Sequence, residues 1–177
     1  MISVRFGIAA MAACLLAVAP VRGDAQSIES TKEFGFDAGV QFGLSGGSYT
    51  SFNLPAQRLR VGFFRSPRVS VEPYGSLNYN KFSGRDGVTT IGFGTGMLYH
   101  LTQNRAASQA YVRPFAEVNY INSPTSRTQF QLGGGLGIKV PWRERISTRF
   151  EAAMGYDFKD SATILNLTAG LSFFTLP

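Results

Sequence analysis

The chain has 177 residues, one cysteine, one histidine and a formal net charge of +6, from 17 basic and 11 acidic side chains. The lone Cys14 lies in the N-terminal apolar run, which excludes a disulfide-stapled secreted domain, and a single histidine without other cysteines excludes the usual His/Cys metal sites. The basic residues are scattered, with no Lys/Arg run, so the positive balance makes no nucleic-acid footprint.

Residues 1–25 read as a secretory signal peptide. Arg5 supplies a short positive region, and Gly7 to Pro20 form an apolar run too short to span a bilayer comfortably. Gly23 and Ala25 stand at the −3 and −1 positions for cleavage before Gln26. A lipid-attachment reading of Met11-Ala-Ala-Cys14 would leave Leu15-Leu16-Ala17-Val18 opening the mature protein, so the ordinary signal is preferred. Its removal takes away two bases and one acid, leaving 15 and 10. A short lead of 26–32 precedes one domain, 33–177, of about 150 residues with no linker, low-complexity segment or amphipathic helix.

Period-two alternation predicts eight strands, at 33–44, 57–64, 69–80, 88–99, 110–121, 129–140, 146–158 and 163–174. In the first, Phe34, Phe36, Ala38, Val40, Phe42 and Leu44 alternate with Glu33, Gly35, Asp37, Gly39, Gln41 and Gly43. The third sets Val69, Val71, Leu77 and Tyr79 against Glu72, Tyr74, Ser76 and Asn78. The seventh sets Ile146, Phe150, Met154, Tyr156 and Phe158 against Arg149, Glu151 and Asp157. Across the eight, one phase carries Glu33, Asp37, Arg58, Arg60, Glu72, Arg113, Glu117, Lys139, Arg149, Glu151 and Asp157, and the other carries no ionisable residue.

Alternation alone fits a soluble barrel as well as a membrane one, so three further features decide the facing. Glycine is dense on the charged phase, at Gly92, Gly94 and Gly96 and at Gly133, Gly135 and Gly137. Glycine rows weaken a strand but leave room on a concave wall for other side chains. The apolar phase ends in Tyr79, Tyr120 and Tyr156 on one side and Tyr99 and Trp142 on the other, a girdle pattern. Finally, six acids and five bases on one phase are nearly self-neutralising, as an enclosed charged face must be. The apolar phase is therefore expected to face lipid and the charged phase the inside of the barrel.

An internal repeat supports the register. Val71-Glu-Pro-Tyr-Gly-Ser-Leu-Asn-Tyr79 matches Val112-Arg-Pro-Phe-Ala-Glu-Val-Asn-Tyr120, and the same offset lays the first glycine row on the second. It sets Glu72 against Arg113 and Tyr74 against Phe115 in pattern, with the bulky rings expected to fill a narrow lumen opposite the glycines.

Over residues 33–174 this pattern resembles the small eight-stranded outer-membrane barrels, OmpA/OmpX-like in the broad sense. The last strand, Leu167-Thr-Ala-Gly-Leu-Ser-Phe-Phe174, closes on an aromatic as in that family, although Thr175-Leu176-Pro177 follow. The resemblance implies an all-β, eight-stranded antiparallel up-and-down transmembrane barrel in the bacterial outer membrane, with both termini periplasmic. By that analogy 45–56, 81–87, 122–128 and 159–162 face outward, and 65–68, 100–109 and 141–145 face the periplasm.

Eight strands enclose an interior that side chains can fill. The expected role is accordingly structural or surface-interacting, with a side-chain-filled lumen and no wide pore. No catalytic, cofactor-binding or metal-binding residue is assigned, and neither enzyme activity nor a cofactor is expected. Expected partners are outer-membrane lipid, lipopolysaccharide and the outer-membrane assembly machinery; Lys81, Arg85, Arg127 and Lys159 offer contacts to lipopolysaccharide phosphates, but scattered surface bases are the preferred reading of them. The barrel is expected to be a monomer with no nucleic-acid partner.

Two alternatives carry distinct expectations. A soluble exported barrel of lipocalin type, binding a small apolar ligand, needs the Phe/Val/Leu phase turned inward. A lipid A-modifying enzyme of this architecture uses a His-x-Ser pair with a Glu. The lone histidine stands in Tyr99-His-Leu-Thr102, offering His-x-Thr with no acid nearby, so His100 is expected to be a rim histidine in a polar turn.

Overall fold

The computed structural model describes residues 32–44, 50–80, 88–102, 107–122 and 126–175. The expected signal peptide, all but the last residue of the lead, and the expected outward bases Lys81 and Arg85 lie outside these residues. Eight antiparallel strands run in chain order around one closed barrel. They are β1 (Lys32–Gly43), β2 (Thr50–Phe64), β3 (Val69–Asn80), β4 (Val88–His100), β5 (Gln109–Asn122), β6 (Arg127–Arg143), β7 (Ile146–Asp157) and β8 (Ala162–Phe174). β1 closes the ring on β8 through an unbroken register from Glu33↔Phe174 to Gly43↔Ile164. One end of the barrel carries Lys32, Phe174 and the connections 65–68, 101–108 and 144–145, and is the termini end. The other, the loop end, carries the remaining connections.

Every predicted strand is present, and the differences are at its boundaries. The largest concerns β2, which starts at Thr50 although residues 45–56 were expected to form an outward loop. Pro55, which has no N–H to give a ladder, lies in that segment. The structure accommodates it with a bulge: pairing runs Asp37↔Arg58 and resumes at Gly39↔Asn53, so Leu54–Gln57 stand opposite Ala38 alone. β6 likewise continues through Pro141 to Arg143 across a second bulge, and only Glu144-Arg145 turn the chain where 141–145 was expected to. Arg127, Thr128 and Ala162 are strand residues rather than loop residues.

Short polar bonds set the tight turns. Ser66 Oγ accepts the backbone N–H of Arg68 at 3.3 Å and of Val69 at 3.1 Å, turning β2 into β3. Asp157 Oδ1 accepts the N–H of Lys159 at 2.9 Å and of Asp160 at 3.4 Å, an Asx turn that leads to Ser161 in the left-handed region at φ 48°.

The two faces of the wall differ as the alternation requires. Phe93 and Leu136, outward in mid-strand, are 69% and 63% exposed, while inward Glu33 and Arg149 are 0% and 3% exposed. Phe34, Phe36, Leu59, Leu77, Val118, Phe130, Leu132, Phe150 and Met154 extend the apolar belt around the outside. Tyr79, Tyr120 and Tyr156 border it at the loop end, Tyr99 and Trp142 at the termini end, and all five are exposed.

Candidate functional site in the barrel lumen

The eleven ionisable residues of the charged phase all point into the barrel, ten of them buried and Arg58 half-buried. They divide by height. In the half nearer the termini, four acids and four bases form one connected cluster. Arg60 is its first centre: Nη1 meets Glu33 Oε1 at 2.6 Å, Nε meets Asp37 Oδ2 at 3.0 Å, and Nη2 donates to Ser172 Oγ at 2.6 Å. Lys139 Nζ reaches the other oxygen of Glu33 at 2.5 Å. Glu72 joins this group to the next, with Arg60 at 3.6 Å and Lys139 at 3.7 Å from Oε1 and Arg149 Nη1 at 2.7 Å from Oε2. Glu151 is the second centre, bound by Arg113 Nη2 and Arg149 Nη2, each at 2.5 Å.

Each of these eight charges thus lies within 3.0 Å of an opposite one. That closeness is what permits their burial, because an isolated ion in such a setting costs far more than a paired one. Tyr111 is built into the cluster as a neutral joint. Its hydroxyl donates to Glu151 Oε2 at 2.9 Å and accepts from Arg149 Nε at 2.5 Å. Its ring lies under the Arg149 guanidinium, 4.8 Å from the centroid.

Above the cluster sits an aromatic layer. Tyr74 and Phe115 lie over the glycines of neighbouring strands, and Arg113 lies over both rings, 5.5 Å and 4.9 Å from their centroids. The glycine rows make the space. A Cβ on Gly94 would fall on the Tyr74 ring, one on Gly133 on the Phe115 ring and one on Gly137 on the Tyr111 ring. The half nearer the loops is different in kind: Asn119, Gln129 and Gln131 replace most of the charges, and the one ion pair of its inward charges among the described residues, Arg58–Glu117, is longer at 3.4 Å. Tyr74 Oη also donates to Glu117, at 2.9 Å. At the mouth, Gln129 Nε2 and Arg127 Nη1 meet Asp160 Oδ2 at 2.5 Å and 3.3 Å.

No protein-family model matches the chain, and no curated protein sequence does. Solved structures do. Neisserial surface protein A (NspA) aligns over 82% of this chain and 98% of its own, with 16% identity and a TM-score of 0.67. Ail, the attachment invasion locus protein of Yersinia pestis, aligns over 82% and 99% with 12% identity and a TM-score of 0.54. The N-terminal β-barrel domain of Pseudomonas aeruginosa OprF aligns over 80% and 97% with 13% identity and a TM-score of 0.50. The fold is that of the small eight-stranded outer-membrane barrels.

Within this outer-membrane barrel fold, the inward residues group differently from their order in the sequence. The repeat aligns Glu72 with Arg113, yet Glu72 pairs with Arg149 and Arg113 with Glu151. Glu117 and Glu151 both lie against arginines. Asp157, counted among the inward charges, caps the β7–β8 turn.

His100 departs from the expected rim histidine. It is the last residue of β4, fully buried, stacked 5.8 Å from the Phe64 ring and tilted 6.1 Å from Tyr111. Its Nδ1 lies 3.3 Å from Arg68 O, and its Nε2 has no hydrogen-bond partner among the described residues. Thr102 is exposed and bonds to Ser108 O at 3.4 Å, so the two residues of His-x-Thr lie in opposite environments. Alternation could have found both His100 and Tyr111, which follow the inward phase of their strands. β4 runs one residue beyond the expected 88–99, which carries His100 out of the turn and into the inward phase.

Proposed function

We propose that the chain is an integral barrel of the bacterial outer membrane, exported by its N-terminal signal, that has a side-chain-filled lumen, serves a structural or surface-interaction role and forms no wide pore. The observation that carries this reading is the coincidence of two faces on one wall. Among the described residues an apolar belt between aromatic borders covers the outside, and a charge-balanced cluster crosses the inside. Lipid is the solvent suited to the first, and the second leaves no charge in want of a counter-ion.

The lipocalin-like alternative needs the reverse arrangement and loses its support with the exposure of Leu59, Phe93 and Leu136. The lipid-modifying alternative loses its support with the separation of His100 from Thr102 and the absence of a carboxylate partner for His100 Nε2 among the described residues. We assign no catalytic residue, cofactor or metal. The proposed partners are outer-membrane lipid, lipopolysaccharide at the loop end, and the machinery that inserts the barrel, which acts as a monomer without nucleic acid.

The test is fractionation of expressing cells followed by electrophoresis of the detergent-solubilised envelope, unboiled beside boiled. The expected result is an envelope-fraction band whose mobility changes on heating, with planar-bilayer recordings free of porin-sized steps. A soluble product of one mobility would overturn the membrane reading. A large steady conductance would overturn the closed lumen alone.

A further inference from the structure

Among the described residues the two ends of the barrel are charged unequally. At the loop end the described exposed ionisable residues are Arg127, Lys159 and Asp160, and Arg127 is paired with Asp160. At the termini end they are Lys32, Arg65, Arg68, Arg143 and Arg145 against the single acid Glu144.

These five bases are consecutive around the rim rather than scattered. Arg143 and Arg145 flank the β6–β7 turn, and Arg145 O accepts the N–H of Phe174 at 3.0 Å, which brings that turn to the end of β8. Thr175 N in turn donates to Lys32 O at 3.1 Å, which brings the end of β8 to the start of β1. Lys32 pairs with Phe63 of β2, one residue from the turn that carries Arg65 and Arg68. The bases therefore follow one another along an arc spanning β6, β7, β8, β1, β2 and β3. Aromatic side chains of the girdle sit inside both ends of the arc. Trp142 precedes Arg143 on β6, and Tyr99 Oη lies 3.4 Å from Arg68 Nη1.

Taking the membrane reading above as given, an exposed amphipathic aromatic marks the level of lipid headgroups, and the bases beside it stand at the depth of lipid phosphates. Guanidinium groups match phosphate oxygens in geometry as well as charge. We propose that this arc binds the headgroups of anionic phospholipids, so that the termini end gathers them from the leaflet in which it sits. A zwitterionic headgroup presents the same phosphate with its own cation beside it and gains less from an excess of four positive charges. The expected enrichment next to the rim is roughly fivefold over the bulk leaflet, and it shrinks as salt screens exposed charges.

The chain contains one tryptophan, Trp142, placed in the arc, so its fluorescence reports the lipids there. The full barrel is refolded into zwitterionic vesicles holding a minor fraction of brominated phosphatidylglycerol or, in parallel, the same fraction of brominated phosphatidylcholine. The expected result is stronger quenching by the anionic lipid at low salt and convergence of the two at high salt. A variant with Arg65, Arg68, Arg143 and Arg145 all changed to glutamine is expected to quench equally with both lipids. Replacing Arg127 and Lys159 by glutamine is expected to leave the preference intact.

Equal quenching of the unaltered protein by both lipids would overturn the proposal while leaving the membrane reading in place. So would a preference that survives the four substitutions, or one indifferent to salt should that variant fail to refold. Quenching by neither lipid would mean that the barrel had not inserted, and the membrane reading itself would fail.

Discussion

The termini half and the loop half of the lumen are made by the same eight strands, yet they fill space by different means. The termini half is a net-neutral cluster of eight buried charges joined by Tyr111, in which Asp37 and Arg113 have one opposite partner each and the other six have two or more. The loop half relies on amides, a capped turn and one longer ion pair at a half-buried arginine. The contrast teaches how one wall changes its chemistry with height. Charges are interlocked where burial is deepest, and neutral polar groups take over towards the mouth.

Breaking the stronger half first should show the largest effect. Arg60→Met leaves Glu33 and Asp37 with one close base, Lys139, between them, and is expected to destabilise the folded barrel by about 3–5 kcal/mol. Urea titration followed by the heat-modifiable gel band measures this, and a loss below about 1 kcal/mol would erase the distinction between the halves. The outer wall supplies an independent reference. Leu136→Arg puts a charge in the apolar belt near mid-strand and is expected to cost roughly 2–4 kcal/mol, read in the same titration and as lost envelope assembly. Normal assembly of that variant would mean that the belt faces water.

The aromatic layer between the halves should respond more mildly. Gly94→Ala forces its methyl into the Tyr74 ring, with an expected loss of about 1–3 kcal/mol. Adding Tyr74→Leu should recover part of it, and a strictly additive double variant would show that the ring and the glycine do not meet. The smallest change belongs to the loop half. Arg58→Gln removes a 3.4 Å pair at a half-buried position and should cost no more than about 1 kcal/mol, leaving the unfolding midpoint nearly unmoved.

Much of this architecture was legible in the chain. Period-two alternation located eight strands and assigned every inward charge, because each strand has one wet and one dry side whatever its neighbours do. The tyrosine borders and the fit of rings over glycines were equally local signals, readable at Tyr74, Phe115, Gly94 and Gly133. What alternation does not carry is height and neighbourhood. Glu33 and Lys139 are separated by 106 positions and meet only through strand tilt and the register of the closed sheet. The repeat, which preserves phase but not height, set Glu72 against Arg113 when each has a nearer partner on β7. Pro55, inside the segment expected as a loop, is a related case. It forbids one ladder bond, and a bulge of four residues supplied an answer that no single-strand pattern encodes.

The closure of β1 on β8 has a consequence for the order in which the barrel is made. The strands that meet there lie at opposite ends of the chain, so this seam has the longest loops to close and is the last expected to form. Glu33 and Asp37 both ride on β1, while Arg60, on the neighbouring hairpin strand, can reach them early. Lys139 and Ser172 come to the same cluster only when β6 and β8 have swung around. A sheet not yet closed therefore holds Glu33 and Asp37 against Arg60 alone at one edge, with Lys139 still apart on β6. Commitment to the finished ring and neutralisation of its interior are one event.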